Sequence, residues 1–141
     1  MNARELLDRA VEVLEGSRTV AVVGASADPA KYGYELVEVL AGLGLQVVPV
    51  NPKRKEILGR PCFSTVEALP ERPDALVLAL APGVTEKVVG SLEGTPARVV
   101  WLPPGCFTEA AEQMARSKGW EVLAGVCPVM GARAIQQRAR G

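Results

Sequence analysis

Short apolar runs alternate with amphipathic stretches along the whole chain. The runs, which are typical of strands buried on both faces of a parallel sheet, cover residues 19–23, 47–50, 75–80, 98–102 and 121–123. Apolar positions with helical spacing fall in residues 2–14, 34–43, 84–92 and 107–118. Successive runs begin about 25 residues apart, which is the length of a strand–helix unit.

This alternation predicts an α/β fold, because strands that alternate with helices form a parallel sheet with helices on both faces. We expect a Rossmann-like three-layer sandwich with a five-stranded parallel sheet, order 3-2-1-4-5, and an extra N-terminal helix. Cys62 and Phe63 are a candidate third strand, which is short. The runs 75–80 and 98–102 are then the fourth and fifth strands, and the loops that begin at Ala81 and Pro103 follow them. Ser64 with Glu67 predicts a capping box at a short helix. The chain length predicts one domain over residues 1–141.

Composition excludes several functional classes. The chain has no histidine, which excludes a Ser-His-Asp triad and every zinc site that needs histidine. Sixteen basic residues balance sixteen acidic ones, so net charge gives no reason to expect a nucleic-acid partner. The acidic side chains form no convincing acid/base pair. We therefore expect no catalytic residues and no metal site, and a binding role is favoured over an enzymatic one.

The absence of a signal peptide or an apolar run long enough to cross a bilayer leads us to expect no membrane partner and a cytoplasmic location. Three well-separated cysteines suit reduced thiols in that compartment. Eleven prolines and few amides are compatible with a thermophilic source or with GC-rich coding.

The residues after the first strand predict a phosphate site, since open α/β sheets bind ligands at the carboxyl ends of their strands. Gly24 allows a tight turn, Ser26 supplies a hydroxyl, and the following helix directs its first amides at an anion. A strand-to-helix turn also favours Gly and Ser for structural reasons alone. The loop lacks the Walker A spacing and the complete GxGxxG pattern. Asn51 occupies the position of the acid that holds the NAD ribose, so NAD is disfavoured.

Lys53, Arg54 and Lys55 follow the second strand, where the ribose of a nucleotide would lie. Their positive charge suits a phosphorylated ribose, and both the 3′-phosphate of CoA and the 2′-phosphate of NADP meet that requirement. The alternative is a solvated loop with Glu56 as a partner.

Residues 20–59, VAVVGASADPAKYGYELVEVLAGLGLQVVPVNPKRKEILG, resemble the small CoA-binding domain family. These proteins are single-domain relatives of the CoA-binding domain of succinyl-CoA synthetase alpha subunits and of ADP-forming acyl-CoA synthetases. The resemblance continues through PCFSTVEALPERPDALVL, ARVVWLPPG and GVCPVMGARA. It implies that coenzyme A or an acyl-CoA is the small-molecule ligand of a stand-alone nucleotide-binding domain without its own catalytic centre.

The resemblance also implies binding roles for residues in four regions. The first binds the pyrophosphate, the second binds the adenosine and its ribose phosphate, the third closes the far side of the site, and the fourth borders the pantetheine arm. In that order they are Gly24, Ala25, Ser26, Lys31, Tyr32 and Gly33; Val50, Asn51, Pro52 and Lys53; Ala81 and Pro82; and Leu102, Pro103 and Gly105.

Cys106 would lie near the thiol end of a bound CoA. Cys106 precedes a predicted helix and Cys127 matches a cysteine common in the family, but each also suits the role of a small buried apolar residue. Two alternative functions stay open. One is an NADP-type or redox-sensing domain, and the other is a subunit that presents CoA to a synthetase-like partner; no feature of the sequence indicates a particular protein partner.

Overall fold

A five-stranded parallel sheet forms the centre of the structure, a computed structural model that describes residues 1–141. Its spatial order is β2-β1-β5-β6-β7. The strands are β1 (Thr19–Val23), β2 (Gln46–Val50), β5 (Ala75–Leu78), β6 (Val99–Leu102) and β7 (Val122–Ala124), and β3 (Glu56–Ile57) and β4 (Arg60–Pro61) form a separate antiparallel ribbon. All pairings in the large sheet are parallel, and Val22 of β1 lies between Pro49 of β2 and Val77 of β5.

The predicted sheet order is confirmed. Phe63 forms a parallel bridge with Val50 of the edge strand β2. The predicted third strand, Cys62 and Phe63, therefore lies on the outer side of the second strand, and the order 3-2-1-4-5 holds. β7 lies next to β6 at the opposite edge. The Rossmann-like α/β class is confirmed with it.

Five helices cover the sheet. They are α1 (Ala3–Glu15), α2 (Tyr32–Gly42), α3 (Pro82–Ser91), α4 (Glu109–Ser117) and α5 (Pro128–Arg140). Buried side chains of α1, α2 and α5 share one cluster with strand residues, and those of α3 and α4 share another. The central strands β5 and β6 are buried along their whole length between these two layers, and the side chains of Val22, Leu76 and Trp101 are fully buried. None of the helices has the length and apolar character that a bilayer crossing requires.

The N-terminal helix has the predicted position, and Asn2 caps it by accepting the amide of Glu5 at 2.9 Å. The C-terminal helix α5 has no counterpart among the predicted elements. Gly131 lies in its interior because a Cβ there would come within 3.0 Å of Leu14 Cδ1 and 3.2 Å of Ala10 Cβ. The close packing of α5 on α1 therefore explains a residue that disfavours an isolated helix.

The segment between β2 and β5 differs from the prediction in two respects. Residues 56–61 form the β3–β4 ribbon, whose turn places Leu58 (φ 51°) and Gly59 (φ 73°) in the left-handed region, as a type I′ turn requires. The interpretation of Ser64 as a helix cap is wrong. Thr65 caps the 3-10 turn Val66–Ala68, because its hydroxyl accepts the amide of Ala68 at 3.2 Å.

Candidate functional site

The loop between β1 and α2 begins with a glycine that the neighbouring strand requires. Gly24 has φ +87°, and its amide donates to the carbonyl of Val50 at 3.1 Å. A Cβ at this position would lie 2.2 Å from the carbonyl oxygen of Ala79. The side-chain direction of Gly24 is thus blocked by the backbone that follows β5, so packing within the fold already accounts for this glycine.

Gly33, in the first turn of α2, makes the matching contact from the helix side. A Cβ there would lie 2.0 Å from the carbonyl oxygen of Gly24 and 3.0 Å from Cα of Ala25. In dinucleotide-binding folds the third glycine of the fingerprint permits this close approach of helix and strand. Here the same contact comes from a glycine further along the chain, because the loop between Gly24 and α2 is longer.

The loop holds its own shape through short-range hydrogen bonds. The hydroxyl of Ser26 accepts the amide of Asp28 at 3.0 Å, and the carboxylate of Asp28 accepts the amide of Ala30 at 2.9 Å. Ser26 is therefore partly used inside the loop, and its O–H is left to donate to a ligand.

Three helices at this end of the sheet begin without a side-chain cap. Lys31, Ala81 and Cys127 are the N-cap residues of α2, α3 and α5, and none makes a side-chain hydrogen bond to its helix. In contrast, Asn2 and Thr108 cap α1 and α4. The start of α2 therefore leaves main-chain amides free to meet an anion beside the carboxyl ends of the strands, whereas α3 and α5 each begin with a proline, which has no N–H to donate.

Asn51 ties the first loop to the second. Its Nδ2 donates to the carbonyl of Ala25 at 2.8 Å, and its Oδ1 accepts the amide of Lys53 at 2.8 Å. The backbone amide of Asn51 donates to Phe63 at 2.9 Å. Both polar atoms of the side chain are thus engaged, which orders the turn that carries Pro52 and Lys53 beside the loop between β1 and α2.

A cleft of about 580 Å³ opens at the carboxyl ends of β1, β2 and β5. Val23, Val50 and Leu80 supply apolar surface from the sheet side. The cleft contains five of the predicted residues, namely Gly24, Val50, Asn51, Pro52 and Lys53. It also contains residues that the sequence did not predict as part of the site, namely Ser64, Thr65, Val66, Glu67, Val84, Val88 and Ser91.

One basic side chain, Lys53, lines this cleft, and further cations follow it in the chain or lie at the start of α2. Lys31, Lys53, Arg54 and Lys55 are exposed, and none takes part in the ion pairs of the structure, which also means that Glu56 does not neutralise the cluster. A second groove of about 440 Å³ adjoins the cleft and is lined by residues 52–55. A third groove, of about 520 Å³ beside residues 66–73, is lined by three glutamates and one arginine, Arg72, so its net negative charge suits an anionic ligand poorly.

The residues predicted along the pantetheine arm differ in their exposure. Ala81 and Pro82 are exposed at the start of α3. Leu102 and Pro103 are buried, so they offer a ligand main-chain atoms at most. Gly105 is exposed in a turn with φ +78°, closed by the amide of Cys106 donating to Pro103 at 3.1 Å.

Tyr32, Cys106 and Cys127 lie close to one another. The hydroxyl of Tyr32 lies 2.9 Å from Sγ of Cys127. Burial, then the contact with Cys127, holds the pKa of Tyr32 far above its usual value. Burial also raises the pKa of the Cys106 thiol, and the nearby Cys127 raises it further. Histidine, cysteine and acidic side chains nowhere gather in a group that would hold a metal ion.

The sheet order and the helices on both of its faces define an α/β domain of the Rossmann-like class, with a cleft at the carboxyl ends of the strands. Residues 18–132 match the family model of the CoA binding domain. The chain therefore belongs to the CoA binding domain family, and the resemblance seen in the sequence is confirmed.

Relatives of known sequence include both small and large proteins. An uncharacterised protein, YneT of Bacillus subtilis, is 31% identical over 121 residues, which cover 82% of this chain and 86% of YneT. The ADP-forming acetate–CoA ligase I of Archaeoglobus fulgidus is 36% identical over 72 residues, which cover 51% of this chain and 10% of the ligase. The chain thus aligns with a small part of that enzyme.

Solved structures share the whole fold. A hypothetical protein from Pyrococcus horikoshii superposes with a TM-score of 0.83 at 28% identity, covering 92% of both chains. A Thermus thermophilus protein superposes with a TM-score of 0.82 at 27% identity, covering 96% of this chain and 99% of its own.

Proposed function

We propose that the protein binds coenzyme A or an acyl-CoA at the carboxyl end of its sheet. The observation that carries this proposal is the meeting of an apolar cleft, uncapped helix amides and unpaired cations at one place. The family membership supports the same ligand.

In this proposal the adenosine lies in the cleft against Val23, Val50 and Leu80, where burial of the flat base removes apolar surface from water. Lys53 binds the ribose 3′-phosphate from the rim. The pyrophosphate lies on the loop of Ser26 and on the first amides of α2, where the helix dipole favours negative charge. These contacts would explain why the first amides of α2 have no side-chain cap.

The pantetheine arm then runs across β5 and β6, past Ala81 and Pro82 toward Gly105. Since Leu102 and Pro103 are buried, the arm contacts mainly backbone here. This geometry supports affinity for a ligand, and we propose a carrier or regulator without a catalytic centre of its own.

Titration calorimetry tests the ligand. We expect CoA and acetyl-CoA to bind, NADP to bind more weakly and NAD not to bind, because Asn51 uses both its polar atoms and offers no acid to a ribose. No binding of CoA at millimolar concentration, or equal affinity for CoA and NAD, would refute the proposal.

The role of Lys53 is tested by measuring the binding of CoA and of dephospho-CoA to both the wild type and Lys53→Ala. Lys53→Ala should weaken CoA binding by ~1.5–3 kcal/mol, the size of a charge-assisted hydrogen bond, and should leave dephospho-CoA binding nearly unchanged. Arg140→Ala is the matched control, because it removes one positive charge at the far end of α5. A Lys53→Ala protein that still prefers CoA over dephospho-CoA as strongly as wild type would assign the phosphate to Arg54 or Lys55.

Two alternatives predict different results. An NADP-binding domain would also use the cations of residues 53–55, and it predicts that NADP binds at least as tightly as CoA. A CoA-presenting subunit is suggested by relatives that are acetate–CoA ligases, in which this region is a small part of the chain. That alternative predicts co-purification with a synthetase-like protein and transfer of bound CoA to it.

A further inference from the structure

The cleft at the carboxyl ends of the strands carries opposite charges on two of its sides. Lys53 and Glu67 are the charged residues among those that line it. Through Lys53 the cleft adjoins the groove of residues 52–55, and through Glu67 it adjoins the groove that three glutamates line. Val50, Leu80 and Val84 are among the apolar residues of its wall. A ligand that matches this cleft has an anionic group, an apolar surface and a hydrogen-bond donor for a carboxylate.

Both charged side chains are available to such a ligand. Lys53 and Glu67 are exposed, and neither takes part in an ion pair within the chain. An unpaired carboxylate is unexpected in a cleft that receives a phosphate, because like charges repel. Glu67 therefore limits where the phosphate can lie, and it favours a neutral donor of the ligand at its own position.

The segment that carries Glu67 is fixed to the strand that Lys53 follows. Phe63 bridges to β2, and its carbonyl accepts the amide of Asn51 at 2.9 Å. Thr65 then caps the 3-10 turn in which Glu67 is the middle residue. The main chain at both charged residues is thus held by the same edge of the sheet.

The nucleoside end of CoA has the three parts that the cleft requires. Its 3′-phosphate is anionic, the faces of the adenine ring are apolar, and the exocyclic amino group is the hydrogen-bond donor of the base. An ionised carboxylate has acceptors only, so among the polar atoms of adenine it can pair with that amino group alone. With the phosphate at Lys53 and the ring against the apolar wall, the amino group is the part that remains for Glu67.

We propose that Glu67 accepts a hydrogen bond from the exocyclic amino group of the adenine and thereby selects the base of the ligand. The proposal rests on the proposed function, since it requires a CoA-type nucleotide in the cleft. The preferred ligands are then adenine nucleotides with a 3′-phosphate, and a base without a donor at that position binds more weakly.

Titration calorimetry with CoA and etheno-CoA tests this contact. In etheno-CoA a two-carbon bridge on the adenine removes both amino hydrogens and leaves the phosphates and the pantetheine arm unchanged. We expect wild type to prefer CoA by roughly tenfold or more, the ratio that one charge-assisted hydrogen bond provides. Glu67→Ala should lose most of this preference. Glu71→Ala is the matched control and should keep the preference, because it removes the same charge from the neighbouring groove and does not line the cleft.

Two further measurements distinguish a contact with the base from a general effect of charge. Glu67→Gln keeps an acceptor of the same length without the charge, so its preference for CoA over etheno-CoA should lie between those of wild type and Glu67→Ala. Glu67→Ala should also weaken CoA and dephospho-CoA by the same factor, because both ligands carry the amino group.

Three results would overturn the proposal. The first is equal affinity of wild type for CoA and etheno-CoA. The second is an undiminished preference in Glu67→Ala, which would assign the discrimination to the shape of the cleft. The third is tighter binding of CoA by Glu67→Ala, which would show that Glu67 only repels the phosphate. CoA still binds in all three cases, so the proposed function survives them. If neither CoA nor dephospho-CoA binds to wild type at millimolar concentration, the proposed function is refuted together with the base contact.

Discussion

Replacing Gly33 with alanine should destabilise the protein, although alanine favours helices. The new Cβ would lie 2.0 Å from the carbonyl oxygen of Gly24, and Cβ atoms essentially never approach another heavy atom within 3.0 Å. The obstacle is main chain, so no side-chain rotation relieves the contact, and α2 must move away from the loop. Overpacking of this kind costs ~1–3 kcal/mol, and here the upper end applies. The gain in helix propensity offsets about 1 kcal/mol. A net loss of about 2 kcal/mol is expected.

The same helix provides the control. Gly42 is its last residue, is exposed, and has no atom within 4 Å of the position that a Cβ would take. Gly42→Ala should therefore stabilise the protein by about 0.5–1 kcal/mol. Urea unfolding followed by the fluorescence of buried Trp101 and Trp120 compares the three proteins.

The two variants should thus change the free energy of unfolding in opposite directions. A Gly33→Ala protein as stable as wild type would refute the packing argument. If such a protein also lost CoA binding, the space above Gly33 would belong to the ligand and not to the contact with Gly24. If it is destabilised as expected, CoA binding should weaken as well, because the amides of α2 move with the helix.

Two further predictions concern side chains that hold loops and strand ends in place. Asn51→Asp should destabilise the protein by ~1–3 kcal/mol, because a carboxylate oxygen would face the carbonyl oxygen of Ala25. The control Asn2→Asp should leave the stability nearly unchanged, because aspartate also caps a helix, and equal urea midpoints for the two variants would contradict this prediction. Asp74 accepts the amides of Arg18 and Thr19, and these hydrogen bonds, that of Arg18 foremost, lower the pKa of Asp74 below its usual 3.8. Its stabilising contribution is therefore present above pH ~4 and is lost as the pH falls through the lowered pKa. Wild type should exceed Asp74→Asn in stability by about 1–2 kcal/mol at pH 7, and an advantage that does not shrink as the solution is acidified below pH ~4 would refute the assignment.

The sheet was predictable because its strands are buried on both faces. Such strands appear as uninterrupted apolar runs, and Val20–Val23 and Ala75–Leu78 are examples in which every residue is buried. The helix α5 was not predictable in the same way. Pro128 and Gly131 interrupt the pattern, and the reason for Gly131 is a contact with Ala10 and Leu14 that lie far away in the sequence. The β3–β4 turn was missed because Leu58 replaces the Asn or Asp that usually marks a type I′ turn.

The loops of the candidate site were predictable and its walls were not. Gly24, Ser26 and Lys53 stand out because glycine, hydroxyl and charge after a strand indicate a phosphate site. Val84 and Val88 line the cleft from α3, but valine on a helix has the same sequence signature whether it faces a core or a ligand. Tyr32 and Cys127 are in contact although 95 positions separate them in the sequence, so only the fold brings them together.

The uncapped starts of α2, α3 and α5 have a consequence for how this site can be mapped. The hydrogen-bond donors that these helices offer are peptide groups, and every residue except proline carries the same group. Alanine scanning would leave these donors intact, so a scan of the loop would record small effects at many positions and would underestimate the site. Proline in place of Tyr32, the first residue of α2, where its fixed φ is tolerated, would delete one donor and reveal the contribution of the main chain, whereas α3 and α5 already begin with proline.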